Sequence, residues 1–248
     1  MLSAFLWGFI AASSLVIGGL IASWMTISQR TLGLIMAFGA GVLISAVAYE
    51  LVFEAVVTAT ATGYPILGLF AGAAAFFLSD RLVSGMVGGR ADPAGSADAS
   101  SLVVPMVLAI ILDGIPESVA LGLGLLKGGT ISIAMLIAVF ISNLPEAIAG
   151  TSGLKASGSS TARTLSLWLL IALVCGGASA AGFALLAGAP ETWMAFVQTF
   201  AAGAILTMLA NSMIPEAYEY SRKLAGLLLV LGFAVAVCVA VLERSSAG

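Results

Sequence analysis

The sequence predicts an all-α polytopic membrane protein with eight transmembrane helices. Composition points there first: of 248 residues, 61% are hydrophobic and 8% charged, with a mean hydropathy of +1.16. A soluble domain of this size carries far more charge. The apolar residues also fall into eight runs, each near the ~20 residues a helix needs to cross a bilayer. Barrel strands would be about half that length and would alternate.

Taken in order, the spans are about 4–27, 32–56, 65–87, 102–126, 130–153, 165–188, 192–217 and 224–242. Polar or Gly/Pro-rich breaks separate them: Ser28-Gln29-Arg30, Thr62-Gly63-Tyr64-Pro65, Lys127-Gly128-Gly129 and Gly188-Ala189-Pro190-Glu191. The longest polar stretch, 88–101, is rich in Gly, Ala, Ser and Asp and reads as a flexible cytoplasmic loop. Residues 1–248 form one transporter domain in this reading. Met1 to Trp7 lacks a basic leader region, so the first run reads as a retained helix.

Orientation follows from the basic residues. Arg30, Arg81, Arg90, Lys155, Arg163, Arg222 and Lys223 fall on one side, and Lys127 and Arg244 on the other. The positive-inside rule puts the first group in the cytoplasm and both termini on the non-cytoplasmic side. A plasma (inner) membrane is the expected location.

Several classes of function are excluded or unsupported. There is no histidine, which removes imidazole metal ligands, His proton relays and HExxH proteases. Cys175 and Cys238 lie in apolar runs and read as small buried hydrophobes. No basic patch supports nucleic-acid binding. No nucleophile or cofactor motif supports an enzyme, so neither catalysis nor a cofactor is expected.

The second and seventh spans resemble each other. Phe38-Gly39-Ala40-Gly41-Val42 matches Phe200-Ala201-Ala202-Gly203-Ala204, and the register runs without gaps to Glu54-Ala55 against Glu216-Ala217. These spans cross in opposite directions. Pro116-Glu117 and Pro145-Glu146 form a second antiparallel pair, on the fourth and fifth spans. Spans 1–3 and 6–8 then form inverted triplets around a central pair, a 3+2+3 arrangement, and inverted repeats with broken central helices mark transporters.

Two stretches carry the chemistry: Asp113-Gly114-Ile115-Pro116-Glu117 and Ser142-Asn143-Leu144-Pro145-Glu146. An ionisable group at bilayer depth costs roughly 2.5–3.5 kcal/mol on insertion scales. Asp113 and Glu117 are spaced to share one helix face, as are Ser142 and Glu146, with Asn143 able to turn toward them. Pro116 frees the carbonyl of Leu112, and Pro145 that of Ile141. Carboxylate, amide, hydroxyl and carbonyl oxygens without a fixed positive charge suit a divalent cation, hard ions above soft ones. Three carboxylates around one divalent ion leave excess negative charge, so ion binding is expected to release protons. Locking helices together is the plainer role for these residues, but small or apolar side chains do that more cheaply. The small residues flanking the site, Ser118, Ala120, Gly122, Gly124, Ala147 and Gly150, read as helix-packing positions. Glu50 and Glu54 near the outer end of span 2, and Glu216 near the inner end of span 7, are pathway candidates. Solvated helix-end charge is an equally good reading of Glu50 and of Glu219.

With these residues in place, the sequence resembles the ZIP (Zrt/Irt-like) family of divalent metal transporters over essentially its whole length. The resemblance rests on Pro116, Glu117, Asn143, Pro145, Glu146 and the Met213-Ile214-Pro215-Glu216 step. It implies eight helices, outward termini, the 3+2+3 arrangement, transport of divalent metal as substrate, and a homodimer. The Gly33/Ala37/Gly41 ridge could serve a dimer or pack within one protomer. Asp113 and Ser142 stand where the family motif has histidine, and Gly114 where it has asparagine. Ser118 and Ala147 replace the glycines that follow the motif glutamates. The sixth span has no carboxylate between Leu165 and Gly188, where the family often has one, and 88–101 has no histidine. Losing both imidazoles is expected to favour Mn²⁺, Fe²⁺ or Mg²⁺, with Co²⁺ and Zn²⁺ still open. A ZIP-like carrier of a non-metal cation or of protons is the alternative.

Overall fold

The computed structural model describes residues 1–59, 62–88, 103–128 and 131–246. Eight of its helices are long and apolar enough to cross a membrane. We label them α1 (Leu2–Trp24), α2 (Gln29–Thr58), α3 (Tyr64–Gly88), α4 (Val103–Gly128), α5 (Ile133–Ala156), α6 (Thr161–Leu186), α7 (Glu191–Ser221) and α8 (Leu224–Ser246). The loop read over 88–101 lies outside the described residues, apart from Gly88 at the end of α3.

Helix ends depart from the sequence reading by a few residues, for a local reason. Ser28, Ser132 and Ser160 each accept a hydrogen bond from the backbone N–H three residues on. Serine caps satisfy N–H groups that the first turn leaves free. They start α2 and α6 before their apolar runs, so Arg30 and Arg163 sit in the first helical turn. At the other end of α5, Gly158 at φ +83° lets the Ser159 N–H reach back to the Leu154 carbonyl, a glycine-closed helix terminus.

Two spans are not α-helical throughout. Val47–Phe53 within α2 and Leu209–Met213 within α7 are π-helical. Such wide turns are rare and concentrate at functional sites. Val47 and Leu209, where they begin, are counterparts in the same gapless register as Glu54 and Glu216.

Packing divides the helices into two groups. In the first, α1 lies against α5 and α6, and α4 against α6. Its centre is Trp168, fully buried. A β-carbon at Gly19 would sit 2.5 Å from this ring, and one at Gly150 would sit 2.8 Å from it. The Trp168 Nε1–H donates to Thr151 Oγ1 at 2.8 Å, which satisfies the indole in the apolar interior. In the second group, α2 lies against α8 and α7, and α3 against α7. Here backbones touch directly. A β-carbon at Gly41 would overlap the Leu229 carbonyl, and one at Gly232 the Phe38 carbonyl. Gly203 stands in the same relation to Leu69, and Gly72 to Phe200. Lipid tails are as apolar as leucine, so close approach through small residues drives this association. The Gly33/Ala37/Gly41 ridge is therefore used within the chain: Gly33 meets Ala217 and Tyr220, and Gly41 meets Leu229.

The two groups meet where α2 lies on α5 and α4 on α7. Gly39 of α2 faces Ile141 and Ser142, where Pro145 opens the α5 backbone. The spans α3 and α8 are the least buried, 17% over their most apolar windows, and carry Phe70, Leu82, Leu227 and Val230 on the outside.

Candidate functional site

Both prolines lie inside unbroken helices, Pro116 in α4 and Pro145 in α5. Each removes one backbone hydrogen bond one turn back. The sequence-predicted acids sit beside these weakened turns.

Glu117 is 1% exposed, Ser142 0% and Asn143 3%. Ser142 Oγ donates to Glu117 Oε1 at 3.3 Å and also to the Val139 carbonyl at 3.0 Å. Glu117 Oε2 and Glu146 Oε2 are buried without any hydrogen-bond partner. The Glu146 carboxylate lies close enough to Asp113 and Glu117 to feel their charge, and so do Asp113 and Glu117 each other. Like charges in a low-dielectric interior repel strongly. The structure thus brings Glu117 and Ser142 into contact between α4 and α5, with Asn143 buried next to Ser142 and with Asp113 and Glu146 within electrostatic range. Among the described residues, no three His, Cys, Asp or Glu side chains stand close enough together in this conformation to hold a metal ion.

The pathway candidates have unlike surroundings. Gln198 Nε2 of α7 donates to the Glu50 carbonyl at 2.7 Å and to Glu54 Oε2 at 3.3 Å. Glu50 lies in the π-helical stretch of α2. Glu216, on the last turns of α7, acts electrostatically on Glu146 and on Tyr220. Glu216 is therefore within electrostatic range of Glu146, whereas Glu54 accepts a hydrogen bond from Gln198 of α7.

Three residues at or near the site escaped the sequence reading. Asp80 of α3 adds its charge to the field on Asp113; an acid near the end of an apolar run beside Arg81 looks like a helix-end charge. Gln198 is an amide inside an aromatic stretch, a polar residue in a span that the sequence did expose. Cys175 of α6 lies within the electrostatic reach of Glu117 and Glu146, and a single cysteine among apolar residues carries no sequence signal.

The chain matches no protein-family model and no curated protein. Two buried carboxylate oxygens without donors, beside helix turns that a proline deprives of one hydrogen bond, and further acids within electrostatic reach form an electron-rich cluster. Such a cluster attracts cations and disfavours anions.

Proposed function

We propose that this protein is a membrane transporter of divalent metal cations of the Mn/Fe/Co/Zn class. It carries them toward the cytoplasm through the carboxylate-rich site between α4 and α5. One observation carries the reading: Glu117 Oε2 and Glu146 Oε2 are buried at membrane depth with no hydrogen-bond donor. A buried oxygen of this kind costs free energy unless a partner arrives, and a transported cation is that partner. Asp113, Ser142 and Asn143 complete the ligand set. The ion is substrate, and neither cofactor nor catalytic step is involved.

We read the chain as a divergent relative of the ZIP family in the 3+2+3 inverted arrangement. The matching glycine contacts support this. Gly41 on Leu229 and Gly232 on Phe38 parallel Gly203 on Leu69 and Gly72 on Phe200. The π-helical stretches at counterpart positions in α2 and α7 support it as well. The protein sits in a plasma (inner) membrane with both termini on the non-cytoplasmic side, and pairs as a homodimer. Alternating access moves α4 and α5, together with α1 and α6 that pack on them, against the group of α2, α3, α7 and α8. Glu50 and Glu54 receive ions, and Glu216 releases them.

The absence of a three-donor cluster among the described residues favours one alternative, a carrier of a non-metal cation or protons. Uptake into proteoliposomes of Mn²⁺, Fe²⁺, Co²⁺, Zn²⁺, Cd²⁺ and Mg²⁺ separates the two. Uptake of at least one ion supports metal transport. Folded protein that moves none of them, yet conducts protons, supports the alternative.

A further inference from the structure

An apolar pocket of about 120 Å³ lies between α2, α7 and α8, lined by Ala37, Ile214, Ala217, Tyr218, Gly226 and Leu229. A β-carbon at Gly226 would meet nothing within 4 Å, so this glycine leaves open space. Tyr218 is exposed, and so are Leu227 and Val230 beside the pocket on α8. The turn from α7 to α8 closes one end. Arg222 is its centre: the Arg222 N–H donates to the Tyr218 carbonyl at 2.8 Å, and the Arg222 carbonyl accepts from the Ala225 N–H at 3.0 Å. Its φ of +56° suits glycine and strains any residue with a side chain. A cation thus stands at this rim where glycine would be relaxed. Lys223 follows it in the chain. Arg30 reaches the same end along α2: a β-carbon at Gly33, one turn on, would lie 2.6 Å from Tyr220 Cβ, and Ala37, a further turn on, lines the pocket. Arg30, Arg222 and Lys223 are all exposed. Among the described residues none of the three pairs with a carboxylate.

We propose that this pocket and its basic rim hold an anionic phospholipid, with part of an acyl chain between α2, α7 and α8 and the phosphate headgroup at Arg222, Lys223 and Arg30. The two ends of the site match the two ends of the molecule. The pocket offers hydrocarbon, and the rim sets three cations against the carboxylates of Glu216 and Glu219, which leaves it positive. Lys and Arg beside a membrane span attract anionic lipid. In the orientation proposed above this is the cytoplasmic face, where such lipids supply the surface charge. The proposal does not depend on which ion is carried. The plainer role of the three cations is to set topology, with any lipid tail filling the pocket. That role predicts no headgroup preference.

The test uses the full-length chain in detergent. Phosphatidylglycerol and phosphatidylcholine with the same acyl chains are titrated in turn. Bound lipid is counted by native mass spectrometry, and thermal unfolding is read in parallel. The expected result is retained phosphatidylglycerol, preferred roughly tenfold over phosphatidylcholine, and a Tm that rises with its concentration. Arg222→Gly with Lys223→Gln abolishes the preference and keeps the fold, because glycine suits the backbone at position 222. Arg30→Gln lowers the preference on its own should the double variant misfold. Gly226→Leu, which fills the pocket, weakens binding of both lipids. Equal retention of the two lipids by the parent, or an unchanged preference in the folded charge variants, overturns the proposal. So does a dimer that cross-links through a cysteine at position 218, because this face is then an interface between copies. Each of these results leaves the reading of the Glu117–Glu146 site standing.

Discussion

Ser142 shares its single hydroxyl proton between two acceptors, the Val139 carbonyl at 3.0 Å within α5 and Glu117 Oε1 at 3.3 Å on α4. The carboxylate thus receives the longer of two bonds on one oxygen and no bond on the other. Glu117 is thus held by a single long hydrogen bond, the light hold that the proposed exchange for an ion requires. Ser142→Ala should therefore cost no more than about 1 kcal/mol of stability. It should weaken ion binding by about fivefold, by releasing the carboxylate from its pose. Thermal unfolding and equilibrium binding on the same preparation check both halves.

Replacing the acids with amides should separate function from fold. Glu117→Gln and Glu146→Gln keep size and replace an acid that has no buried counter-charge with a neutral amide. Burying an unpaired charge is unfavourable, so each variant should unfold at the same temperature as the parent or higher, while ion uptake falls at least about a hundredfold. A large fall in Tm for either variant would mean that the carboxylates are structural.

Gln198 joins α7 to the π-helical stretch of α2 through the Glu50 carbonyl and Glu54. Gln198→Leu removes both bonds at similar volume. The expected loss is about 1–3 kcal/mol, since a bond to a charged group is involved. A reagent-accessible cysteine at position 54 should also label faster when Gln198 is gone. Unchanged labelling would show that the amide does not restrain this end of the path.

The backbone contacts in the α2, α3, α7 and α8 group predict a paired sensitivity. Gly41→Val and Gly203→Val force a side chain into the carbonyls of Leu229 and Leu69. Each should destabilise by about 1–3 kcal/mol or more, as overpacking does. Gly124→Ala meets nothing within 4 Å and should be neutral. Thermal unfolding of the three variants side by side is the measurement. Sensitivity at Gly41 alone would count against a matched packing of α2 on α8 and of α7 on α3.

Lys155 provides a further check on how the first group is held. Its Nζ donates to the carbonyls of Ala22 and Ser23 at 3.1 and 2.7 Å, closing the C-terminal end of α1 onto α5. A cation is favourable at the negative end of a helix. Lys155→Met should lower stability by about 1.5–3 kcal/mol without changing ion preference, read from Tm and a two-ion competition.

Much of this was legible in the sequence because the bilayer leaves few choices. Backbone groups in lipid must pair internally, so apolar run lengths translate directly into helices, and acids in those runs stand out against a background almost without charge. That is why Glu117, Glu146 and Ser142 were visible, and why the serine caps altered only helix ends. What the sequence hid depends on helix rotation and neighbours. Cys175 looks like any small core residue until α6 is laid against Gly114. Asp80 looks like a helix end until α3 is laid against α4. The unlike surroundings of Glu54 and Glu216 break a symmetry that the repeat suggests, because Gln198 has Met36 as its counterpart and methionine donates no hydrogen bond.

The most direct test is metal uptake into proteoliposomes by the parent chain and by the Glu117→Ala, Glu146→Ala double variant, with folding of both verified. The account predicts uptake of at least one divalent ion by the parent and none by the double variant. Uptake that persists in the double variant would contradict it, because the ion would then cross by a route that does not pass the two buried carboxylates.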